Sequence, residues 1–167
     1  MFAIRKETLQ DTIAIRGVNR LAFGGEAEAN LVDRLRTEGL VIVSLIAEEA
    51  GGILGHILFS ELPIETPEGM IRGAALAPLA VLPERQRQGI GSALVVAGLD
   101  WCAQEGVALV VVVGHPGYYP RFGFSAEGAV RLKSPYSGDA FMVLDLRPGA
   151  HNGIVGTAKY PAAFAEF

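Results

Sequence analysis

Residues 108–114, with the sequence ALVVVVG, constrain the fold more than any other stretch of this chain. The run is continuously apolar and rich in β-branched valine, and no position in it is polar. Such a run is typical of a strand that is buried on both faces of a sheet. The sequence therefore predicts a sheet that other elements cover on both sides.

Turn and periodicity signals on either side of this run predict the other elements. Two apolar runs flank Gly51-Gly52, which is a strong β-hairpin signal. Pro78 breaks the run that follows, and Gly106 stands where a long helix should stop. These signals predict a mixed α/β sheet in the order β-α-α-β-β-β-α-β-α-β-β. The predicted elements are strand 2–7, helices 8–23 and 26–39, strands 41–50, 53–62 and 69–83, a helix from about 88 to 105, strand 108–114, a turn or short helix within 116–124, and late strands near 124–132 and 140–147.

Composition excludes several classes of protein. The chain has 167 residues, a hydrophobic fraction of 50% and a mean hydropathy of +0.34, which fit one domain with a core of its own. No apolar run approaches the roughly 20 residues of a membrane span, and residues 1–10 lack the apolar core of a signal peptide. One cysteine, Cys102, and a net charge of -4 argue against disulfides, thiolate metal sites and nucleic-acid binding. We therefore expect a cytoplasmic protein that binds no metal, membrane or nucleic acid.

Two glycines stand where a strand gives way to a helix, in the stretch QRQGIGS of residues 86–92. A helix N-terminus exposes unpaired N–H groups and the positive end of the helix dipole. Gly89 and Gly91 carry no side chain, so a phosphate can lie against the backbone there. Arg85 and Arg87 add positive charge. The stretch predicts a pyrophosphate site, and a tight turn in which the glycines only ease the corner is the alternative.

Two common phosphate-binding fingerprints do not match this stretch. A dinucleotide fingerprint needs a third glycine where Leu94 stands, and Asp100 comes too early to be its ribose carboxylate. A nucleotide P-loop needs Gly-Lys-Ser/Thr, which the chain lacks. Both absences argue against a different nucleotide-binding enzyme or scaffold.

Two motifs resemble those of the GNAT superfamily of acyl-CoA-dependent N-acetyltransferases. Residues 86–91, Gln-Arg-Gln-Gly-Ile-Gly, match its Gln/Arg-x-x-Gly-x-Gly/Ala motif. Tyr119, followed by Gly123 and Phe124, matches its Tyr-x-x-x-Gly-Phe motif. The pair stands in the family order and is more specific than either motif alone. The resemblance covers about residues 1–147 and looks closest to a bacterial group of predicted acetyltransferases with PLAVLP and YYPRFGF-like segments.

The resemblance implies a GNAT-like fold, with a central and mostly antiparallel sheet, helices on both faces and one parallel strand pair that splays apart. The pantetheine arm of the cosubstrate, acetyl-CoA, would enter the V-shaped slot and bond to the backbone of the fourth strand. Pro78 suits a bulge in that strand, because proline donates no hydrogen bond to a sheet ladder. The residues implied to bind acetyl-CoA are Leu79, Ala80, Val81, Gln86, Arg87, Gln88, Gly89, Ile90, Gly91 and Ser92, with Arg121 as a further contact to a CoA phosphate.

The resemblance also implies that Tyr119 protonates the leaving thiolate after a neutral amine attacks the acetyl carbonyl. The general base is not identified, because residues 71–82 carry no carboxylate where some GNAT enzymes hold a glutamate. His115 is a further catalytic candidate, since it follows the buried strand and histidine titrates near neutral pH. Its alternative is a turn histidine beside Pro116. Tyr118 is expected in the core or in the acceptor wall.

The leading function is transfer of an acetyl group from acetyl-CoA to the primary amine of a small molecule or peptide, by direct attack in a ternary complex. A non-catalytic acyl-CoA-binding module is the alternative, and the absent glutamate keeps it open. A homodimer is compatible with the sequence. Residues 148–167 lie outside the usual core, and their apolar, weakly charged composition predicts a tail that packs on the domain or on a partner.

Overall fold

One mixed sheet organises the computed structural model, which describes residues 1–147 and 154–165. None of the helices in this part of the chain is long and apolar enough to cross a bilayer. The strands are β1 (Ala3–Lys6), β2 (Val41–Glu49), β3 (Gly52–Thr66), β4 (Gly69–Val81), β5 (Leu109–Val113), β6 (Leu132–Lys133), β7 (Phe141–Asp145) and β8 (Gly156–Ala158). The helices are α1 (Thr12–Phe23), α2 (Ala27–Thr37) and α3 (Ile90–Gln104).

The main body of the sheet has the strand order β1-β2-β3-β4-β5-β7. Within this order β4 and β5 are parallel, whereas all other neighbours are antiparallel. The short β8 pairs with the end of β3 and, in the parallel sense, with β6. The predicted mixed α/β sheet is confirmed, and so is the hairpin at Gly51-Gly52, which joins β2 to β3.

The valine-rich strand β5 is buried between two layers, as predicted. Leu109 and Val111 belong to the core beneath α1 and α2, whereas Val110 and Val112 belong to the core beneath α3. All four side chains are at most 2% exposed. At the end of the strand Val113 is 49% exposed, so β5 comes out to the surface at its carboxyl end.

Helix α3 packs closely on β3 because Gly98 leaves room for an aromatic ring. A Cβ atom at Gly98 would overlap the ring of Phe59, which is fully buried. The helix ends at Gln104, next to the predicted stop at Gly106, whose φ is +81°. This packing fixes where the amino end of α3 lies relative to β4.

The first helix begins later than the sequence pattern predicts. Residues Leu9–Asp11 form a 3-10 turn, and α1 begins at Thr12. The Asp11 carboxylate accepts the backbone N–H of Thr8 at 2.6 Å and two guanidinium N–H groups of Arg5 at 2.8 and 3.0 Å. The bond between Thr8 and Asp11 therefore closes a 3-10 turn, so the helix predicted from residue 8 loses its first turn.

The strand predicted near 124–132 is wrong. Ser125 forms a single bridge to Val143, and residues Glu127–Ala129 then form a 3-10 turn. The hydroxyl of Ser125 accepts the N–H of Gly128 at 2.9 Å, a local bond that competes with the sheet ladder. Only the two residues of β6 pair as a strand in this segment, whereas the strand predicted near 140–147 is present as β7.

The described part of the carboxyl-terminal tail packs on the sheet. Ala158 of β8 pairs with Ile64 of β3, and the side chains of Ala163 and Phe164 are nearly fully buried. The rings of Tyr160 and Phe164 meet edge to face. Residues 148–153, 166 and 167 of the expected tail lie outside the described residues, and the domain boundary at residue 147 stays a prediction.

Candidate active site

The parallel strands β4 and β5 separate towards their carboxyl ends. They pair from Gly73 to Ala75 with Leu109 to Val111, and no pairing follows, although β4 continues to Val81. A β-bulge lies in β4 at this point. Leu76 pairs with Phe59 and Leu79 pairs with Ile57, so β4 advances three residues while β3 advances only two. Pro78 lies in the extra step, where its missing N–H does not interrupt a ladder.

A cleft of about 360 Å³ fills the space between the separated strands. Ala80 lies opposite His56 of β3, and the carbonyl oxygen of Ala80 points towards Gly55 of the same strand. Consecutive residues of a strand direct their backbone groups to opposite edges of that strand. Leu79 and Val81 therefore direct their backbone groups to the open edge of β4. Of the three strand residues implied to bind acetyl-CoA, Ala80 does not present its backbone to the cleft.

The glycine turn lies directly after this open edge. Gly89 has a φ of +84° and caps α3, which begins at Ile90. Gly91 lies close to the open edge, since a Cβ atom there would be 3.3 Å from the hydroxyl of Tyr118 and 3.8 Å from the side chain of Leu79. The first N–H groups of a helix have no partner within the helix. The turn thus offers backbone donors and the positive end of the α3 dipole beside the cleft.

Side chains within the turn hold its shape. Arg85 donates to Glu49 and to the side chain of Gln88, both at 3.0 Å, and Gln86 donates to the Val81 carbonyl at 3.2 Å. These bonds engage the side chains of Gln86 and Gln88 inside the turn. Ile90 is only 1% exposed, so it can contribute its backbone N–H but not its side chain.

Three polar groups meet at the first turn of α3. The hydroxyls of Ser92 and Tyr118 are 2.9 Å apart, and the Arg121 guanidinium lies over the Tyr118 ring at 4.5 Å from its centroid. Arg121 also donates to the Tyr118 carbonyl at 2.9 Å, and Arg87 is exposed on the turn itself. Neither Arg87 nor Arg121 has an acidic partner among residues 1–147 and 154–165. Both positive charges are therefore available to an anion at this helix end.

Tyr119 lines the cleft and is held rigidly. Its ring meets those of Tyr118 and Phe124 edge to face at 5.1 and 5.7 Å, and it packs against Gly114 so closely that a Cβ atom there would overlap it. Burial raises the pKa of the Tyr119 hydroxyl to about 12. This hydroxyl is therefore protonated at neutral pH, and it makes no hydrogen bond within the described part of the chain.

His115 lies exposed at the rim of the same cleft. Its carbonyl accepts the N–H groups of Tyr118 and Tyr119 at 3.0 and 3.3 Å, so its backbone shapes the turn that carries both tyrosines. This contact matches the turn-histidine alternative. A catalytic role for the His115 side chain stays a prediction.

His56 has no access to the cleft. It is fully buried on β3, where its Nδ1 accepts from the Asn19 amide at 3.1 Å and its Nε2 lies 2.8 Å from the Ser44 hydroxyl. Burial lowers the pKa of His56 to about 3, so the ring is neutral. His56 is therefore a hydrogen-bonded core residue.

The sequence model of the Acetyltransferase (GNAT) family matches residues 17–124, which include α3, the splayed strands and both tyrosines. The chain belongs to the GNAT family. Among proteins similar to this GNAT chain, the uncharacterized N-acetyltransferase YhbS of Escherichia coli K12 is 35% identical over 167 residues, 98% of this chain and 99% of YhbS. The uncharacterized N-acetyltransferase YjhQ of the same strain is 39% identical over 129 residues, 75% of this chain and 71% of YjhQ.

Two solved GNAT structures resemble this one along almost the whole chain. A GNAT family acetyltransferase from Brucella melitensis in complex with acetyl-CoA has a TM-score of 0.82 and 36% identity, over 98% of both chains. The YhbS protein of Escherichia coli in complex with CoA has a TM-score of 0.87 and 35% identity, over 98% of this chain and 92% of that chain. The family and fold expected from the two motifs are confirmed.

A carboxylate that the sequence did not single out lies next to the GNAT cleft. Glu28, near the start of α2, lines the cleft and also a second cavity of about 330 Å³. The two cavities share Leu76, Ala77 and Val113 at the mouth of the strand splay. The sequence shows Glu28 only as one polar position of a helix, because its place beside β4 results from how α2 packs on the sheet.

Proposed function

We propose that this GNAT chain transfers the acetyl group of acetyl-CoA to a primary amine, with both substrates bound at once. The open edge of β4 carries the proposal. This edge joins the amino end of α3, which offers donors for an anion, to the cleft that Tyr119 lines. The acetyl-CoA and CoA complexes of two relatives that are 35–36% identical support the choice of cosubstrate.

The cosubstrate would be held by backbone and by two arginines. The pyrophosphate would accept from the N–H groups of the first turn of α3, near Gly89 and Gly91, and from Arg87 and Arg121. The pantetheine arm would bond like an added strand to the open edge of β4 at Leu79 and Val81. Such binding directs the thioester to the mouth of the splay, where the two cavities meet.

The reaction would proceed by direct attack. The lone pair of the neutral amine forms the new C–N bond, negative charge develops on the acetyl oxygen, and the C–S bond then breaks. Tyr119 donates its proton to the departing thiolate, the amide nitrogen loses its surplus proton to solvent, and Tyr119 then regains a proton from solvent. Holding both reactants in one cleft supplies a large part of the rate.

The only cysteine supports direct attack rather than an acyl-enzyme intermediate. Cys102 is fully buried in α3 and belongs to the core between α3 and the sheet. Burial raises the pKa of its thiol to about 12, so the thiolate that would attack a thioester is scarce. Cys102 also does not line either cavity.

The deciding experiment measures CoA release from acetyl-CoA over a broad panel of primary amines. Turnover with at least one amine, with intersecting initial-velocity patterns, supports the proposal. Parallel patterns contradict direct attack in a ternary complex. Tight CoA binding without turnover of any amine favours the alternative of a non-catalytic acyl-CoA-binding module.

A further inference from the structure

The second cavity, hereafter the aromatic pocket, has a wall of three rings. The Tyr136 and Tyr160 ring centroids are 4.9 Å apart and those of Tyr160 and Phe164 are 5.2 Å apart, both in edge-to-face contact. Tyr160 and Phe164 come from the carboxyl-terminal tail, so the tail builds part of this pocket. Apolar residues of β4 and β5 also line it: Ala75, Leu76, Ala77, Val111, Val112 and Val113.

The polar atoms of this aromatic wall are already engaged. The Tyr136 hydroxyl donates to the Phe164 carbonyl at 3.2 Å, and the Tyr160 hydroxyl bonds with the side chain of Ser134. Burial raises the pKa of the Tyr160 hydroxyl, so it stays uncharged. The rings thus present mainly carbon to whatever occupies the pocket.

Glu28 is the only charged side chain among the described residues that line the aromatic pocket. It is half-buried and has neither a hydrogen bond nor an ion pair in the described part of the chain. Neighbouring carboxylates do have partners, since Glu26 and Asp33 both pair with Arg16 at 2.8 and 2.6 Å. A half-buried carboxylate without a partner favours a cationic ligand in this pocket.

We propose that the acceptor is a small monocationic primary amine on an aromatic body, of the 2-phenylethylamine class. The inference rests on the proposed function. The ammonium pairs with Glu28 at the mouth of the splay, and the ring stacks on Tyr136 and Tyr160, because aromatic pairs favour such edge and offset contacts. A polyamine would bring further charges against a wall whose described residues offer no second carboxylate, which is costly. The pocket is also at the small end of ligand cavities, which are about 300–1,000 Å³.

Glu28 also receives the first proton of the reaction. The ammonium has no lone pair, so one N–H bond must break before attack, and its electron pair stays on nitrogen. The proton passes to the carboxylate of Glu28 and leaves to solvent after turnover. The thiolate proton still comes from Tyr119, the amide nitrogen releases its surplus proton to solvent, and Tyr119 takes a proton back from solvent. Starting from the ammonium and acetyl-CoA, the net products are therefore the amide, CoA and one proton.

The test compares three acceptors, 2-phenylethylamine, spermidine and glycylglycine, in the wild type and in Glu28→Gln. We expect kcat/KM of the wild type to be at least about 100-fold higher for 2-phenylethylamine than for the others. Glu28→Gln should lower that value by about 100-fold or more, since it removes both charge and base. Calorimetry on CoA-saturated protein should show that 2-phenylethylamine binds about tenfold more weakly to Glu28→Gln, whereas the Kd of CoA is unchanged.

Glu26→Gln is the matched control, because Glu26 precedes the same helix, pairs with Arg16 and Arg20, and does not line the pocket. It should leave kcat/KM for 2-phenylethylamine unchanged. Preference for spermidine or glycylglycine, or an unchanged Glu28→Gln variant, overturns the assignment while the acetyltransferase proposal stands. CoA binding without turnover of any amine overturns the proposed function itself, and the acceptor assignment with it.

Discussion

The ring of Tyr119 is rigidly packed, whereas its hydroxyl has no hydrogen-bond partner among the described residues. Tyr119→Phe keeps the ring and its contacts but deletes the donor, so the fold should survive. The lost bond forms mainly as charge appears on sulfur, and kcat and kcat/KM should therefore fall together, by about 10²–10⁴-fold. Steady-state kinetics with one accepted amine measures the loss, and calorimetry should show unchanged CoA affinity.

Tyr118 is the matched control for Tyr119, because the two hydroxyls have different surroundings. The Tyr118 hydroxyl is 2.9 Å from that of Ser92 at the start of α3, whereas the Tyr119 hydroxyl has no hydrogen-bond partner among the described residues. Tyr118→Phe should cost much less in kcat. Near wild-type turnover in Tyr119→Phe, with chemistry shown to limit the rate, would remove Tyr119 from the mechanism and leave solvent as the proton donor.

The ion pair of Asp11 with Arg5 gives a pH-dependent prediction. The Arg5 guanidinium, at 2.8 Å, holds the pKa of Asp11 well below its usual range. The ion pair therefore contributes fully to the free energy of unfolding above the pKa of an unfolded aspartate, about 3.9. This contribution is lost as the pH falls through the lower pKa that Asp11 has in the folded protein. Asp11→Asn should lower the free energy of unfolding by about 1 kcal/mol at neutral pH. Urea titrations should show that the difference in unfolding free energy between the wild type and Asp11→Asn shrinks below about pH 4. A difference that grows as the pH falls contradicts the assignment.

At the scale of elements, the amino end of α3 is expected to act through its backbone. Gly91→Val would place methyl groups near the Tyr118 hydroxyl, where the phosphates are proposed to lie. CoA at a hundredfold excess over Kd should stabilise the wild type by about 2.7 kcal/mol and so raise its Tm. Gly91→Val should lose most of this CoA-dependent rise in Tm. Gly17→Ala in α1 is the control, because the added methyl would meet no described atom within 4 Å apart from the neighbouring backbone of its own helix. A full CoA shift in a folded Gly91→Val protein would refute the phosphate site.

The same element shows which features a sequence can predict. The glycine turn and α3 were predictable because capping and periodicity are local signals that lie within about 20 residues. Ser125 was misinterpreted because a side-chain bond to Gly128 replaced a ladder bond in a segment of strand-like composition. Glu28 could not be placed, since its position beside the splay depends on the packing of α2 against distant strands. The roles of Tyr119, His115 and the acetyl-CoA contacts stay predictions.

At the scale of the whole molecule, the tail contributes to the core. Phe164 is 4% exposed and packs in the cluster beneath α1 and α2, so Phe164→Ala should cost about 3–5 kcal/mol in unfolding free energy. Val155→Ala, at a side chain that is 49% exposed, should change stability by less than about 0.5 kcal/mol. Chemical denaturation measures both. Equal stability of the two variants would show that the tail adds nothing to the core.

The open edge of β4 also carries a risk of aggregation. An unpaired strand edge is a template on which another chain can pair. Pro78 and the adjacent bulge reduce this risk, because one N–H is missing and the edge is twisted away from a regular ladder. A bound pantetheine arm would cover the edge, so the protein without cosubstrate should self-associate more readily. Light scattering during slow heating should show aggregates at a lower temperature without CoA than with it, by more than the shift in Tm alone explains.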